Sequence, residues 1–212
     1  MPTYDVSALA ASIPPAHVAG RMGKFSLTEL DLRVALALFN LYRPARVLEF
    51  GVNQGETAKC LLDHCPWIES YVGVDLRREC FPDRWGIVPE VAGAAARSDP
   101  RFEAVLTDGT EWDFHRQAVP LSPFDCILMD ADHDEDPTRR DTESCSQLAG
   151  RPCLWLWHDY NVRSRANPGG PIWGVKACLD GLAARGRTIW TPDQADRDPW
   201  ACCSLAWELS QA

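Results

Sequence analysis

Glycines and acidic residues follow several short apolar runs of the chain, in positions where they could contact a ligand. After RVLEF, Gly51 and Gly55 allow the backbone to turn tightly and to approach a ligand closely. Gly55 precedes a predicted helix, whose first N–H groups favour an anionic group. Asp75, at the end of YVGVD, could bind two ribose hydroxyls, and Asp108 with Gly109, after FEAVLT, could face an adenine amino group. Each residue taken alone could equally form an ordinary turn.

Two later apolar runs end in acids and histidines. FDCILM precedes Asp130, Asp132 and His133, and CLWLW precedes His158 and Asp159. Taken singly, His133 could be a helix-cap residue and His158 a buried, hydrogen-bonded histidine. The glycine spacing around residue 51 is Gly-x-x-x-Gly, so the dinucleotide fingerprint Gly-x-Gly-x-x-Gly is absent.

Strands and helices alternate along most of the chain. Apolar runs predict strands at residues 46–51, 68–75, 102–107, 124–130, 153–158, 187–190 and 202–209, the last two as an antiparallel pair. Helical spacing predicts helices at 56–63, 138–148 and 171–184, a short helix after a loop within 76–100, and a helix from Ser26, with Glu29 completing a capping box, to Pro44. This alternation predicts an α/β fold with a parallel sheet, in which ligands bind beyond the carboxyl ends of the strands.

Five acids therefore lie at five successive strand ends, and they are Glu49, Asp75, Asp108, Asp130 and Asp159. This joint placement resembles the nucleoside-binding edge of the class I S-adenosylmethionine-dependent methyltransferases, over about residues 44–209. The resemblance implies a Rossmann-like, doubly wound, mostly parallel seven-stranded sheet with an antiparallel last strand and helices on both faces. It also divides the chain into an N-terminal helical extension or cap at 1–43 and an S-adenosylmethionine-binding domain at 44–212.

The resemblance assigns roles to the strand-end residues. The first glycine-rich segment would cradle the methionine part of the cofactor, Asp75 would bind the ribose, and Asp108 would face the adenine. The complete cofactor-binding set that it implies is Glu49, Gly51, Asn53, Gly55, Asp75, Asp108, Gly109 and Asp130.

The segments FDCILMDADHDEDPTRRD and WLWHDYN are similar to those of small-molecule O-methyltransferases. In metal-dependent relatives, these positions hold a divalent ion that binds two adjacent hydroxyls of the acceptor. Carried over, Asp130 and Asp159 would be metal ligands with His158 as a third, and Asp132 would be the base or a substrate contact. Since histidine suits a transition metal better than magnesium, the need for a metal stays open. A metal-free enzyme would use His133 or His158 as the general base.

Composition excludes several other classes of protein. The net charge of −9 disfavours binding to duplex nucleic acid through its phosphates, and no apolar run is long enough to cross a membrane. The nine cysteines, an odd number without Cys-x-x-Cys, are expected to be reduced core thiols in a cytoplasmic protein whose N-terminus lacks signal-peptide features.

The expected function is therefore methylation of a hydroxyl on a small molecule. The alternatives are a non-catalytic S-adenosyl-binding scaffold, a nucleic-acid methyltransferase, and a nucleotide-sugar or nicotinamide enzyme. The glycine- and proline-rich segment 161–174 could form a lid over the acceptor, and the N-terminal extension could close the other side. The acceptor's identity and the formation of a homodimer stay open.

Overall fold

The computed structural model describes residues 1–19, 27–81, 91–160, 174–193 and 203–210. The strands in these ranges are β1 (Thr3–Tyr4), β2 (Arg46–Phe50), β3 (Ser70–Leu76), β4 (Phe102–Thr107), β5 (Phe124–Met129), β6 (Ala149–Trp157), β7 (Thr191–Pro192) and β8 (Ala206–Ser210). The α-helices are α1 (Val6–Ala11), α2 (Glu29–Tyr42), α3 (Glu56–His64), α4 (Glu111–Ala118), α5 (Glu135–Ser146) and α6 (Gly174–Ala184). Short 3-10 helices cover Pro15–His17, Arg78–Cys80 and Val119–Leu121.

Six of the strands form one sheet in the order β4-β3-β2-β5-β6-β8. The first five strands are parallel, and β8 runs antiparallel to β6. The chain winds outward from β2 to β4 and then returns to the other side of β2 to form β5. The switch point between β2 and β5 is the place where sheets of this kind bind ligands.

Helices cover both faces of the sheet, as the apolar strands predict. Side chains of α1, α2 and α3 pack in one hydrophobic cluster with one face of the sheet, and those of α4, α5 and α6 pack on the other. Neighbouring residues of β2 show the alternation, since Val47 belongs to the first cluster and Leu48 to the second. The structure confirms the predicted α/β class with its mostly parallel sheet and antiparallel last strand.

Several predicted elements need correction. The described sheet has six strands rather than seven, because residues 187–190 supply only an isolated bridge from Trp190 to Trp207. The predicted antiparallel pairing with 202–209 is present at this bridge, where the N–H groups of Trp190 and Trp207 donate to each other's carbonyls at 2.7 and 2.9 Å. The main partner of β8 is β6, which pairs with it over five residues. Thr191–Pro192 pairs instead with β1 in a separate two-stranded sheet.

The helix starts also differ from the prediction. Helix α2 begins at Glu29, and its N-cap is Thr28, whose hydroxyl accepts a hydrogen bond from the Asp31 N–H at 3.1 Å. Ser26, predicted as the cap, lies outside the described residues, as does Pro171, the predicted start of the helix that is described from Gly174. Residues 91–100 form turns rather than a short helix, and α1 and α4 were not predicted.

The cysteines of the described ranges confirm the prediction of thiols. Eight of them form no disulfide, and all of these except Cys80 are buried. The ninth, Cys202, lies outside those ranges. No helix among the described residues has the length and apolar character that a membrane span needs.

Candidate functional site

The loop between β2 and α3 lies against the end of β5. Gly51 has a φ angle of +97°, and a Cβ atom placed on it would lie 2.3 Å from the backbone oxygen of Asp130. The N–H groups of Gly51 and Val52 both donate to the carbonyl of Val74, at 2.8 and 3.1 Å. Gly51 is therefore the residue that allows the first loop to contact the next strand of the switch point.

Asp75 fixes the same loop from the end of β3. Its Oδ2 atom accepts a hydrogen bond from the Asn53 N–H at 2.6 Å, and its Oδ1 atom accepts one from the Leu76 N–H at 2.8 Å. Burial raises the pKa of Asp75 despite these two bonds. The two N–H donors leave acceptor lone pairs on both oxygens, so the carboxylate can still receive ligand hydroxyls.

Two buried acceptors of this loop have no donor among the described residues. They are Oδ1 of Asn53 and Oε2 of Glu56, the residue that begins α3. Buried polar atoms usually have a partner, so each fits a ligand that carries hydrogen-bond donors. Asn53 itself has a φ angle of +46°, a left-handed conformation that asparagine adopts more readily than most residues.

Glu49 lies beneath the loop rather than on its surface. Its side chain is buried, and its Oε2 atom accepts a hydrogen bond from the Tyr71 hydroxyl at 2.9 Å. Burial raises the pKa of Glu49 well above its usual value, and the nearby Asp130 and Asp75 carboxylates raise it further. Burial thus shifts Glu49, at the base of the site, toward its protonated form relative to an exposed glutamate.

Asp108 and Gly109 form a turn at the end of β4. The Oδ1 atom of Asp108 accepts from both the N–H and the hydroxyl of Thr110, at 2.9 and 2.6 Å, and these bonds lower the pKa of the carboxyl group. Asp108 is exposed, and Thr110 is the N-cap of α4. The structure therefore brings Asp108 to the predicted edge but shows its carboxylate bound within its own turn.

Asp113 is a buried acid that the sequence reasoning missed. Its carboxylate accepts from the Asp108 N–H at 3.0 Å and from the guanidinium groups of Arg77 and Arg116 at 2.5 and 2.8 Å. It thereby ties the end of β3 to the end of β4. The pattern Thr-x-x-Asp at the start of α4 was the available signal.

The ends of β5 and β6 bring together two acids and two histidines. His133 Nε2 lies 2.9 Å from Asp159 Oδ2 and 4.0 Å from Asp130 Oδ1. His158 Nδ1 lies 2.9 Å from Asp130 Oδ1 and 3.4 Å from Asp159 Oδ1. Asp159 has a φ angle of +59°, so its backbone is strained where its side chain meets both imidazoles.

The charges of this cluster support one another. Burial opposes ionisation of Asp130, yet His158 and His133 lower its pKa to about 2. Burial also opposes protonation of His133, yet Asp130 and Asp159 raise its pKa to about 9. The same acids raise the pKa of His158 well above its usual value. At neutral pH the cluster therefore holds imidazolium groups between carboxylates.

Asp31 of α2 reaches this cluster from the far end of the sequence. It is fully buried, and its Oδ2 atom lies 3.2 Å from His158 Nε2. The sequence reasoning did not include Asp31. Its position on the apolar face of the helix, between Leu27 and Val34, was the signal that could have found it.

The predicted metal ligands Asp130, Asp159 and His158 lie together, but a different histidine completes the set that could hold an ion. Asp130, His133 and Asp159 each offer one ligand atom, and these atoms lie within 4.8 Å of one another. His158, the predicted third ligand, directs its ring nitrogens to Asp130 and Asp31 instead. Asp132 accepts a hydrogen bond from the Asp134 N–H at 3.0 Å, next to the start of α5. The proposed lid lies outside the described residues except for Gly174.

A family model described as a methyltransferase domain matches residues 48–160. These residues extend from β2 to just beyond the acid–histidine cluster, which consists of Asp130, His133, His158 and Asp159. No curated protein matches the chain by sequence at a significant level.

Solved structures share the fold at low sequence identity. The O-methyltransferase TomG from Streptomyces achromogenes, involved in tomaymycin synthesis and solved with S-adenosylmethionine, aligns with a TM-score of 0.60 and 16% identity, over 99% of this chain and 91% of its own. An O-methyltransferase from Bacillus cereus, solved with S-adenosylhomocysteine, aligns with a TM-score of 0.55 and 14% identity, over 96% of this chain and 91% of its own. The MycE methyltransferase of the mycinamycin pathway was solved with Mg, S-adenosylhomocysteine and mycinamycin VI. It aligns with a TM-score of 0.58 and 16% identity, over 99% of this chain and 55% of its own. These likenesses establish the fold.

Proposed function

This chain belongs to the methyltransferase-domain family that it matches over residues 48–160, and we propose that it transfers a methyl group from S-adenosylmethionine to a hydroxyl of a small molecule. The solved neighbours that carry S-adenosylmethionine or its product and are named O-methyltransferases support this assignment. The formal net charge of −9 supports a small acceptor over duplex nucleic acid.

The observation that carries the proposal is the position of Asp130. Its backbone oxygen faces Gly51 of the β2–α3 loop, and its side chain faces His158 and, at longer range, His133. A loop suited to the methyl donor and a cluster suited to the acceptor thus meet at one residue of the switch point. Transfer from a sulfonium to a hydroxyl oxygen needs in-line positioning and removal of one proton.

The loop residues would hold the cofactor. Bound S-adenosylmethionine would supply an electrophilic methyl group on its sulfonium. Asp75 would accept hydrogen bonds from the ribose hydroxyls, and the unpaired acceptors Asn53 Oδ1 and Glu56 Oε2 would receive donors of the cofactor. Gly51 and Gly55 would keep the loop close to the ligand, with Glu49 buried below it.

The acid–histidine cluster would act on the acceptor. We propose that His133 accepts the hydroxyl proton in its neutral form, which becomes more populated as the pH rises toward its pKa of about 9. Its side chain is 30% exposed against 11% for His158 and is oriented by Asp159. His158, held between acids, would position Asp130 and Asp159. Asp132 would contact the acceptor, since it borders the same small cavity as His133.

A divalent ion is the alternative use of the same residues. The donor set of two carboxylates and one imidazole fits manganese, iron or zinc better than magnesium. An ion held by Asp130, His133 and Asp159 would lower the pKa of an acceptor hydroxyl and fix its oxygen. MycE, whose structure contains Mg, makes this alternative worth a direct test.

The proposed function is tested first by calorimetric titration of the folded protein with S-adenosylhomocysteine. We expect micromolar binding, since this product lacks only the transferable methyl group. Incubation with S-adenosylmethionine and a panel of catechols, phenols and sugars should then give a methylated product by mass spectrometry. A folded protein that does not bind S-adenosylhomocysteine would overturn the proposal.

The metal alternative predicts a Mn²⁺ site that depends on Asp159. We expect titration with Mn²⁺, followed by its electron paramagnetic resonance signal, to show one site, and an Asp159→Asn variant to bind at least about tenfold more weakly, because it loses a charged ligand. Asp132→Asn is the matched control, since Asp132 lies outside the three-residue set. Equal Mn²⁺ binding by the wild type and both variants would assign the cluster to the metal-free mechanism.

A further inference from the structure

The contacts of Asp31 join three distant parts of the chain at the acid–histidine cluster. Its Oδ1 atom accepts from the Ser204 N–H at 2.8 Å, and its Oδ2 atom accepts from the Thr28 hydroxyl at 2.6 Å. The Ser204 hydroxyl also donates to Oδ2, at 3.4 Å. Oδ2 further contacts His158 Nε2, 127 positions away in the sequence. A charged carboxylate is tolerated in a fully buried position only when it is paired with a positive charge and hydrogen-bonded.

His158 lies between this carboxylate and the acids of the proposed acceptor site. Its Nε2 atom faces Asp31, and its Nδ1 atom faces Asp130 at 2.9 Å and Asp159 at 3.4 Å. With a proton on each nitrogen, the ring donates in both directions. Its orientation is therefore fixed at both ends, by α2 on one side and by the ends of β5 and β6 on the other.

We propose that Asp31 is a positioning residue for the acceptor site, acting through the His158 ring on Asp130 and Asp159. The proposal rests on the proposed function for the role of those two acids. Asp31 would not touch either ligand. It holds the ring from behind, so that Asp159 is oriented to bind His133 Nε2 at 2.9 Å.

This assignment gives helix α2 a further role. Three residues would support the acceptor site: Thr28 and Asp31 at the start of α2, and Ser204 before β8. The helix would then determine the geometry of the reacting groups from inside the fold, in addition to covering one face of the sheet. Asp31 makes no described contact with His133. Loss of the Asp31 carboxylate should nevertheless change the environment of the His133 ring, because His158 and Asp159 lie between them.

The test follows the hydrogen-bonded ring protons of the histidines by NMR in wild type and Asp31→Asn. In the wild type, His158 should show two downfield N–H signals, because both protons face carboxylates. In Asp31→Asn we expect the Nε2 proton of His158 to move upfield or disappear, and the Nε2 proton of His133 to shift as well. Assignment uses His158→Gln and His133→Gln variants.

Ser210→Ala is the matched control for local loosening. The Ser210 hydroxyl of β8 donates to the Cys153 carbonyl of β6 at 3.1 Å, but in the described structure it contacts neither Asp31 nor a histidine of the cluster. We expect it to leave both histidine signals unchanged. A shift of the His158 signal alone in Asp31→Asn, with His133 unmoved, would overturn the proposal and make Asp31 a buried anchor only.

A second variant keeps the proposal testable if Asp31→Asn does not fold. Thr28→Val removes the nearer of the two hydroxyls that share the Oδ2 atom with His158, so the His158 Nε2 proton should move further downfield. An unchanged signal would count against the Asp31–His158 contact. Calorimetry with S-adenosylhomocysteine on each variant separates the two questions, because lost binding in the wild type challenges the proposed function, whereas retained binding with unmoved histidine signals challenges only the role of Asp31.

Discussion

Replacing Asp75 with alanine is expected to weaken S-adenosylhomocysteine binding roughly 30-fold to 1,000-fold. The variant would lose the hydrogen bonds that the Asp75 carboxylate accepts from two ribose hydroxyls. Each of these bonds contributes about 1–2 kcal/mol when the acceptor is charged. The variant would also lose the hydrogen bond from the Asn53 N–H to Asp75 Oδ2, 2.6 Å long, which fixes the β2–α3 loop. Calorimetric titration of the variant measures the change directly.

Asp108→Ala is the control for this prediction, because both acids were predicted from the same strand-end pattern. We expect at most about a threefold loss, since Asp108 is exposed and its Oδ1 atom is bound to Thr110. Asp75→Asn should give an intermediate result, because its amide oxygen still accepts one hydrogen bond. Equal losses for Asp75→Ala and Asp108→Ala would place both side chains on the nucleoside, and no loss in either would remove the loop from the cofactor site.

The strand-end residues were predictable because their positions follow from two simple rules. Apolar runs on a parallel sheet give buried strands, and the carboxyl ends of those strands share one edge. Gly51, Asp75, Asp130 and Asp159 could therefore be assigned to one edge without knowing any helix orientation. The structure confirms that the loop of Gly51 and the side chain of Asp75 meet there.

The choice between the two histidines could not be made from the sequence. His133 and His158 both follow strands, and only their contacts separate them: one faces Asp159 and is partly exposed, while the other is enclosed between Asp130 and Asp31. Asp31 lies in a helix that the sequence pattern joined to the N-terminal extension. Contacts over 127 positions depend on how α2 packs against the sheet, which local periodicity does not determine.

Gly51→Ala is expected to lower the free energy of unfolding by about 4 kcal/mol or more. Part of the cost, about 1–2 kcal/mol, arises because alanine disfavours the φ angle of +97°. The larger part arises because the new Cβ would lie 2.3 Å from the Asp130 oxygen and 2.7 Å from the Ala131 Cα, which are backbone atoms of the adjoining strand end. Urea unfolding followed by tryptophan fluorescence measures the loss as a lower midpoint.

Gly186→Ala separates the two parts of this cost. Gly186 has nearly the same φ angle, +95°, but a Cβ there would meet no atom within 4 Å among the described residues. It should therefore lose only about 1–2 kcal/mol, and the difference between the variants measures the contact between the loop and β5. If the two variants were equally stable, Gly51 would be needed for its conformation alone. A large difference would mean that close approach of the loop to Asp130 is built into the fold, which would explain why a donor site and an acceptor site can share that residue.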